Sequence, residues 1–140
     1  MTYLPEGLPL PNTEEWDHKE WWEACQRREL VVQQCTNCGT YRHPPGPGCY
    51  HCQSFDFKWT PMSGRGTVYS YIIAHHPGHA ALKDHGPYNV VLVELADTNT
   101  VRMLGNLIDV PNDQIKIGMH VHVTWEERGG VVFPQWVKAK

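Results

Sequence analysis

Apolar and polar residues alternate along the second half of the chain, in short segments separated by glycine and proline. Alternation with a period of two residues is typical of strands that bury one face. Several such strands with frequent turns favour a small closed barrel, of which the five-stranded OB-fold is the commonest type and an SH3-like barrel the alternative. The predicted barrel strands cover residues 67–75, 89–95, 101–108, 119–126 and 131–137.

One helix of about three turns is predicted near the N-terminus, from Asp17 to about Arg28. Asp17 and Glu20 have the spacing of a capping box, in which each side chain satisfies a free backbone amide of the first turn. Trp16 and Trp21 flank this box at the spacing of a hydrophobic staple. The sequence therefore predicts a helix whose start is defined by its own side chains.

The segment before this helix is rich in proline. Pro5, Pro9 and Pro11 fall within the first twelve residues. Proline favours an extended chain without internal hydrogen bonds. We therefore predict an extended arm that lies on the surface of a partner rather than in a core.

Two pairs of cysteines lie between the helix and the barrel, Cys35 with Cys38 and Cys49 with Cys52. Two intervening residues allow a tight turn to direct both sulfurs of a pair at one ion, and residues 44–48 supply turn-forming prolines and glycines between the pairs. The pattern predicts a tetrahedral Zn²⁺ site, with iron held by four thiolates as the alternative occupant. Four sulfur ligands leave no open position, so the expected role of the ion is structural.

These patterns divide the chain into three parts. Residues 1–29 form the proline arm and the helix, residues 30–62 the zinc ribbon, and residues 63–140 the barrel. Within the ribbon, short strands are predicted at residues 30–34 and 55–59, on either side of the two cysteine pairs. The expected fold is therefore mainly β, with one helix.

Composition and net charge disfavour some classes of function. With 140 residues, 41% hydrophobic content and six tryptophans, the chain can bury one core and one small satellite module. A net charge of −3 supplies no general field for phosphate backbones, so nucleic-acid binding is disfavoured. No run of about 18 apolar residues occurs, and the start of the chain lacks the plan of a secretory signal. We therefore predict a cytoplasmic protein with no membrane segment.

Several short segments, in this order and at this spacing, carry a resemblance to a known family. They are residues 21–23, 30–39, 43–45, 49–52, 63–70 and 93–95. They resemble the zinc-ribbon and OB-fold proteins that accompany thiolases, and the resemblance covers residues 16–137. It implies an N-terminal helix, a rubredoxin-like zinc ribbon and a five-stranded OB-fold barrel.

The resemblance also implies a function. Members of this family are non-catalytic accessory subunits of acyl-CoA enzymes with the thiolase fold. These partners include acyltransferases, lipid-transfer-type thiolases and retro-aldolases that shorten steroid side chains, and some fused members pair with a MaoC-type enoyl-CoA hydratase. The expected assembly is a hetero-oligomer, with a homodimer through the helix as the alternative.

Five residues are candidates for contacts outside the chain. Trp16, Trp21 and Trp22 offer more apolar surface than one short helix needs for docking, so they either pack the helix on the barrel or anchor a partner. Arg65 and Arg102 lie near barrel strands and could meet the phosphates of an acyl-CoA at a shared interface. Scattered surface arginines are the ordinary alternative.

Two other classes of function stay open at this point. An OB barrel can bind single-stranded nucleic acid by stacking bases on strand aromatics, here Tyr69, Tyr71 and Trp125. A free-standing enzyme or electron carrier is the other alternative, but the sequence contains no phosphate-binding loop or nucleophile elbow. Cys25 is expected to be a buried thiol rather than a nucleophile.

Histidines cluster at two places. Four of them lie in the predicted loop over residues 75–87, between His75 and His85, where they could bind a second metal or face a thioester in a partner. A solvated loop explains them equally well. His120 and His122 share one face of a predicted strand, which we expect to be the exposed face.

Overall fold

The structure, a computed structural model, describes residues 2–140. It contains one α-helix, eight strands and two short 3₁₀ segments at Ala80–Leu82 and Asn112–Gln114. The elements in chain order are α1 (Lys19–Gln26), β1 (Val31–Cys35), β2 (Tyr41–Arg42), β3 (Phe57–Pro61), β4 (Arg65–Ala74), β5 (Tyr88–Leu95), β6 (Arg102–Gly105), β7 (His120–Arg128) and β8 (Val131–Lys138).

The strands form two antiparallel sheets. The smaller sheet has the order β2-β1-β3 and carries the cysteine pairs, and the larger has the order β6-β5-β4-β7-β8. The larger sheet curls until β6 and β8 approach each other through one parallel bridge, from Leu107 to Trp136. The predicted mainly β fold, with one helix and a nearly closed five-stranded barrel, is confirmed.

Alternation along the strands decides which face of the barrel sheet is buried. In β5, Asn89, Val91, Val93 and Leu95 are buried, while the residues between them are half-buried. Because successive side chains of a strand point to opposite faces, these four residues enter the core together. A register shift in β4 between Val68 and Ser70 bends the sheet as a β-bulge does.

The barrel closes incompletely, and a proline sets the limit. Trp136 N donates to Asn106 O and Ile108 N donates to Trp136 O, both at 3.0 Å, in the pattern of a parallel pair. The next bond toward the start of β8 would run from Asn106 N to Pro134 O, but Asn106 N donates to Gln135 Oε1 instead. The bond after that one would need an amide hydrogen at residue 134. That residue is Pro134, which has none, so β6 and β8 separate there.

A side-chain pair bridges the point where the two strands separate. Gln135 Oε1 accepts from Asn106 N at 2.7 Å, and Gln135 Nε2 donates to Asn106 Oδ1 at 2.8 Å. Beside them, Gly105 leaves room for the fully buried Trp136, since a Cβ at Gly105 would lie 2.7 Å from the indole Cδ1. Where β6 and β8 separate, polar side chains and a glycine therefore take the place of backbone pairing.

The start of α1 differs from the prediction. The helix covers about two turns rather than three, its N-cap is His18, and no side chain caps it. The amides of His18 and Lys19 donate to Glu15 O at 2.9 and 2.8 Å, so the chain enters the helix through a backbone turn rather than through the predicted Asp17 capping box. Trp16 is 73% exposed, which excludes the predicted staple. The capping box and the staple were both wrong.

The buried face of α1 consists of Trp21, Ala24 and Cys25. Burial raises the pKa of the Cys25 thiol to about 12, so it stays protonated at neutral pH and cannot act as a thiolate nucleophile. Within residues 2–140, no helix combines the length and the apolar character that crossing a membrane would demand.

The proline arm packs on the chain's own barrel, where a position on a partner had been predicted. The Tyr3 hydroxyl accepts from the backbone and side-chain nitrogens of Asn89 at 3.0 and 2.8 Å. Farther along, Pro5 O accepts from Arg128 Nη1 at 3.4 Å. These hydrogen bonds join the arm to β5 and to β7 of the same chain.

Candidate functional site

The four cysteines of the ribbon converge on one point. Their Sγ atoms all lie within 4.8 Å of one another, with 3.5 Å between those of Cys35 and Cys52 and 3.6 Å between those of Cys38 and Cys49. A tetrahedron of sulfurs about 2.3 Å from a central zinc has edges of about 3.8 Å. The sulfur separations therefore fit one tetrahedral ion.

Two matching turns hold these cysteines. Gly39 N donates to Cys35 O and Gln53 N donates to Cys49 O, both at 2.9 Å. The residue after each pair has a left-handed backbone, with φ of 79° at Gly39 and 67° at Gln53. The second turn forms although a glutamine occupies the position at which the first has glycine.

Backbone amides prepare the sulfurs for a metal. The amides of Cys52 and His51, 3.5 and 3.4 Å from Cys49 Sγ, lower the pKa of this thiol to about 6. Asn37 Nδ2 lies 3.4 Å from Cys52 Sγ. Metals bind the thiolate form, so these contacts favour the form that ligates. Four thiolates leave the ion no open coordination position, and the site is structural.

A groove of about 460 Å³ lies where α1, the ribbon turn and the barrel meet. It runs along the place where β6 and β8 separate. Its walls are largely aromatic and aliphatic. The residues that line it include Trp22, Pro45, Leu104, Phe133 and Pro134.

The three candidate tryptophans have different environments. Trp21 is 7% exposed and its indole nitrogen donates to Val31 O at 3.0 Å, so in this chain it is a core residue. Trp22 is half-buried, with its ring centroid 4.8 Å from that of Trp21 and 6.0 Å from that of Phe133. Trp16 is exposed and does not line the groove. Sequence reasoning missed Phe133, which only the packing of β8 against α1 brings to the site.

His43 adds a titratable group to the wall of the groove. Its Nδ1 atom is buried and has no hydrogen-bond partner among residues 2–140. Burial, followed by the charge of nearby His18, lowers the pKa of His43 from 6.5 to about 4. The imidazole is therefore neutral at physiological pH.

Acid should destabilise the protein through this histidine. The folded-state pKa lies below the unfolded one, so the unfolded state binds more protons between pH 6.5 and 4, and stability falls as the pH falls through that window. The loss should total about 3 kcal/mol and be absent above pH 6.5. Urea unfolding of the wild type and of His43→Gln at several pH values measures it. Both proteins keep the four cysteines, so ligand protonation cancels, and parallel stability curves would refute the assignment.

The two candidate arginines lie outside the groove. Arg102 Nε is 3.2 Å from Glu94 Oε2, and its guanidinium lies 3.8 Å from the ring centroid of Tyr69. Arg65 is exposed at the start of β4, opposite His122 of β7. Acyl-CoA binding by these residues stays a prediction. To bind a phosphate, Arg102 would have to release Glu94.

The histidine-rich loop assembles no second metal site. Among residues 2–140, the four cysteines are the group whose ligand atoms converge as metal binding requires. His79 Nδ1 instead accepts from Ala81 N at 3.0 Å, and His85 Nε2 donates to Tyr3 O at 3.0 Å. Two of these histidines therefore have structural roles. His120 and His122 are exposed on β7, as predicted.

The strand aromatics do not form a stacking surface for bases. Tyr71 and Trp125 pack against the core, and Tyr69 lies beneath Arg102. With a net charge of −3, this arrangement does not favour the nucleic-acid alternative.

Comparison with known proteins identifies both halves of the chain. Residues 22–58 match the model of the ChsH2 rubredoxin-like zinc ribbon domain, and residues 59–126 match that of the ChsH2 C-terminal OB-fold domain. The zinc-ribbon match and the sulfur geometry together confirm the predicted structural zinc ion.

Two of the relatives are named as hydratase alpha subunits. The chain is 50% identical over 111 residues to a probable enoyl-CoA hydratase alpha subunit of Thermomonospora curvata, covering 79% of this chain and 34% of that protein. It is 32% identical over 135 residues to the 3-oxo-4,17-pregnadiene-20-carboxyl-CoA hydratase alpha subunit of Mycobacterium tuberculosis, covering 94% of this chain and 39% of that protein. The chain thus spans a third to two fifths of their lengths.

A solved structure matches the whole fold. It is described as an Ltp2-ChsH2(DUF35) aldolase, and its matching chain is 43% identical. The match covers 95% of this chain and 100% of that one, with a TM-score of 0.81.

Proposed function

Because this chain belongs to the ChsH2 (DUF35) family of zinc-ribbon and OB-fold proteins, we propose that it is a non-catalytic accessory subunit that binds and stabilises a thiolase-fold acyl-CoA enzyme. The observation that carries this proposal is the full-length match to the ChsH2(DUF35) chain of a two-component aldolase. The resemblance seen in the sequence points to the same class of partner.

The reaction of the partner is a finer part of the proposal. The names of the relatives contain an aldolase and two CoA-thioester hydratases, one of them acting on a steroid derivative. We therefore favour a retro-aldolase or acyltransferase that handles CoA thioesters, with shortening of a steroid or lipid side chain as its process. The partner would supply the catalytic residues, and the acyl-CoA could lie at the shared interface.

The architecture suits a scaffold. The zinc ion fixes the ribbon, the ribbon turn and α1 pack against the barrel, and Pro45 and Trp22 thereby meet Phe133 in the groove. Metal-binding thiols suit a reducing compartment, so the proposal places a hetero-oligomeric complex in the cytoplasm.

A tagged pull-down from the native host, at moderate salt, tests the proposal. We expect a thiolase-fold protein at near-equal stoichiometry, identified by mass spectrometry, and one zinc per copy of this chain in the same eluate. Recovery of this chain alone, or together with nucleic acid, would contradict the accessory role.

Trp22→Ala should weaken binding to the recovered partner by about 2 kcal/mol or more, about 30-fold in Kd, because a half-buried indole at the groove edge is a typical interface anchor. Calorimetric titration of the purified subunits measures the change. Trp16→Ala is the matched control and should change Kd by less, since Trp16 lies outside the groove. A large loss of thermal stability with unchanged Kd would assign Trp22 to the core instead.

A further inference from the structure

Strand β6 presents an unused backbone edge. Leu95 N donates to Val101 O at 3.0 Å, which makes this a hydrogen-bonded pair of the antiparallel ladder. Such pairs alternate with pairs whose amides and carbonyls point away from the neighbouring strand. By this alternation Arg102 and Leu104, opposite Glu94 and Leu92, direct their backbone groups away from β5.

The barrel itself uses only the end of this edge. Asn106, next in the same alternation, is paired with β8 through Trp136 and Gln135. Pro134 ends that pairing, and among residues 2–140 no backbone or side-chain group bonds the amide or carbonyl of Leu104. The side chain of Leu104 is also 65% exposed. The structure thus leaves an apolar strand position with unpaired backbone groups.

The groove described above runs beside this edge. It is lined by Leu104 and Gly105 of β6, by Trp22 of α1, and by Phe133 and Pro134 of β8. Its volume, about 460 Å³, is in the range of clefts that hold ligands. An extended segment lying there would find backbone partners on one side and aromatic contacts on the other.

The charged groups at the groove already have partners. Glu126 accepts from Tyr3 N and from Gln135 Nε2, the latter at 2.7 Å. Arg128 donates to Pro5 O at 3.4 Å, and its guanidinium lies 5.3 Å from the Phe133 ring centroid. A phosphate or a charged side chain would have to displace these contacts, so the groove favours an uncharged occupant.

We propose that an extended, apolar segment of the partner subunit adds to the barrel as a strand beside β6, with one side chain inserted between Leu104, Trp22 and Phe133. Strand addition to an exposed sheet edge combines main-chain hydrogen bonds with pockets for alternate side chains. This inference rests on the proposed accessory function and names the surface that carries it.

The test uses the complex of this chain with its co-expressed thiolase-fold partner. Leu104→Asp should weaken the complex at least about tenfold in Kd. The partner segment would bury the new carboxylate in an apolar groove whose charged side chains already have partners. Ile117→Asp is the matched control, since Ile117 is 68% exposed and does not line the groove. It should leave Kd unchanged, and both variants should keep the melting temperature of the wild type.

Backbone pairing has its own readout. Amide hydrogen exchange of residues 102–105 should slow on complex formation, and Leu104→Pro, which removes an amide that the β5 ladder does not use, should weaken binding without lowering the melting temperature. A complex that forms with Leu104→Asp as tightly as with the wild type, or with unchanged exchange at residues 102–105, would overturn this inference and leave the accessory function standing.

Two further outcomes would also overturn the inference. If no complex forms even with the wild type, the accessory function fails and the inference fails with it. If sedimentation shows a homodimer that Leu104→Asp converts into monomers, the edge belongs to a second copy of this chain.

Discussion

Replacing Cys38 with serine is expected to release the zinc ion and unfold the ribbon. A serine hydroxyl is a poor substitute for a thiolate, and four-thiolate zinc contributes about 10 kcal/mol of apparent folding free energy in small modules. That is comparable to the whole stability of a typical domain, about 5–15 kcal/mol. The part of the ribbon between the cysteine pairs has little else to replace it, since its strand β2 is only two residues long. Zinc analysis and thermal unfolding of the purified variant measure both effects.

The loss should extend to partner binding. The turn between the cysteine pairs carries Pro45 and His43, which line the groove, so an unfolded ribbon removes one of its walls. Cys25→Ser is the control, because Cys25 is buried in α1 and lies outside the metal cluster. It should keep one zinc ion and bind the partner. Full partner binding by metal-free Cys38→Ser would show that the ribbon does not support the interface.

Asn89→Leu is expected to destabilise the fold by about 4 kcal/mol. Asn89 is fully buried, and its side-chain amide makes hydrogen bonds to the loop after β6 like those that the backbone of a neighbouring strand would make. Its Oδ1 accepts from Leu107 N at 2.7 Å and its Nδ2 donates to Leu107 O at 3.0 Å. Leucine would leave both groups of Leu107 buried without partners, and it would also remove a donor from the Tyr3 hydroxyl. Urea unfolding at pH 7 measures the change.

Two comparison variants sharpen this prediction. Asn89→Asp keeps the acceptor for Leu107 N but places a buried carboxyl group against Leu107 O, so it should also destabilise the fold relative to the wild type. Asn99→Leu changes an exposed asparagine and should stay within about 0.5 kcal/mol of the wild type. A loss below about 1 kcal/mol for Asn89→Leu would mean that water can replace the Asn89 amide in its hydrogen bonds to Leu107.

The metal centre and most strands were predictable because their signals are local. The cysteine pairs place their sulfurs by turn geometry over five residues, and the structure brings all four within metal-binding distance. The period-two pattern predicted a strand over residues 89–95, and the structure has Tyr88–Leu95. Strand β2 was missed, because Tyr41–Arg42 is a strand only through its pairing with Gln33 and Gln34 of β1.

The helix start shows where local signals fail. The capping-box pattern at Asp17 is a valid local signal, but the chain enters α1 through a backbone turn to Glu15 O that competes with it. Trp16 and Trp22 look equivalent in the sequence, yet one is exposed and the other packs against Phe133. A competing local turn decides the first outcome, Phe133, which is distant along the chain, decides the second, and residue spacing alone encodes neither.

The sequence by itself therefore determined the metal ligands, the strand pattern and the family, because each depends on spacing over a few residues or on the order of short segments. The tertiary structure alone decided the burial of Trp21, the position of the proline arm, and the groove between β6 and β8. The groove lies where β6 and β8 separate, beside Leu104 of one strand and Pro134 of the other, and Pro134 has no amide hydrogen with which to pair with Leu104. These residues meet only when the barrel closes.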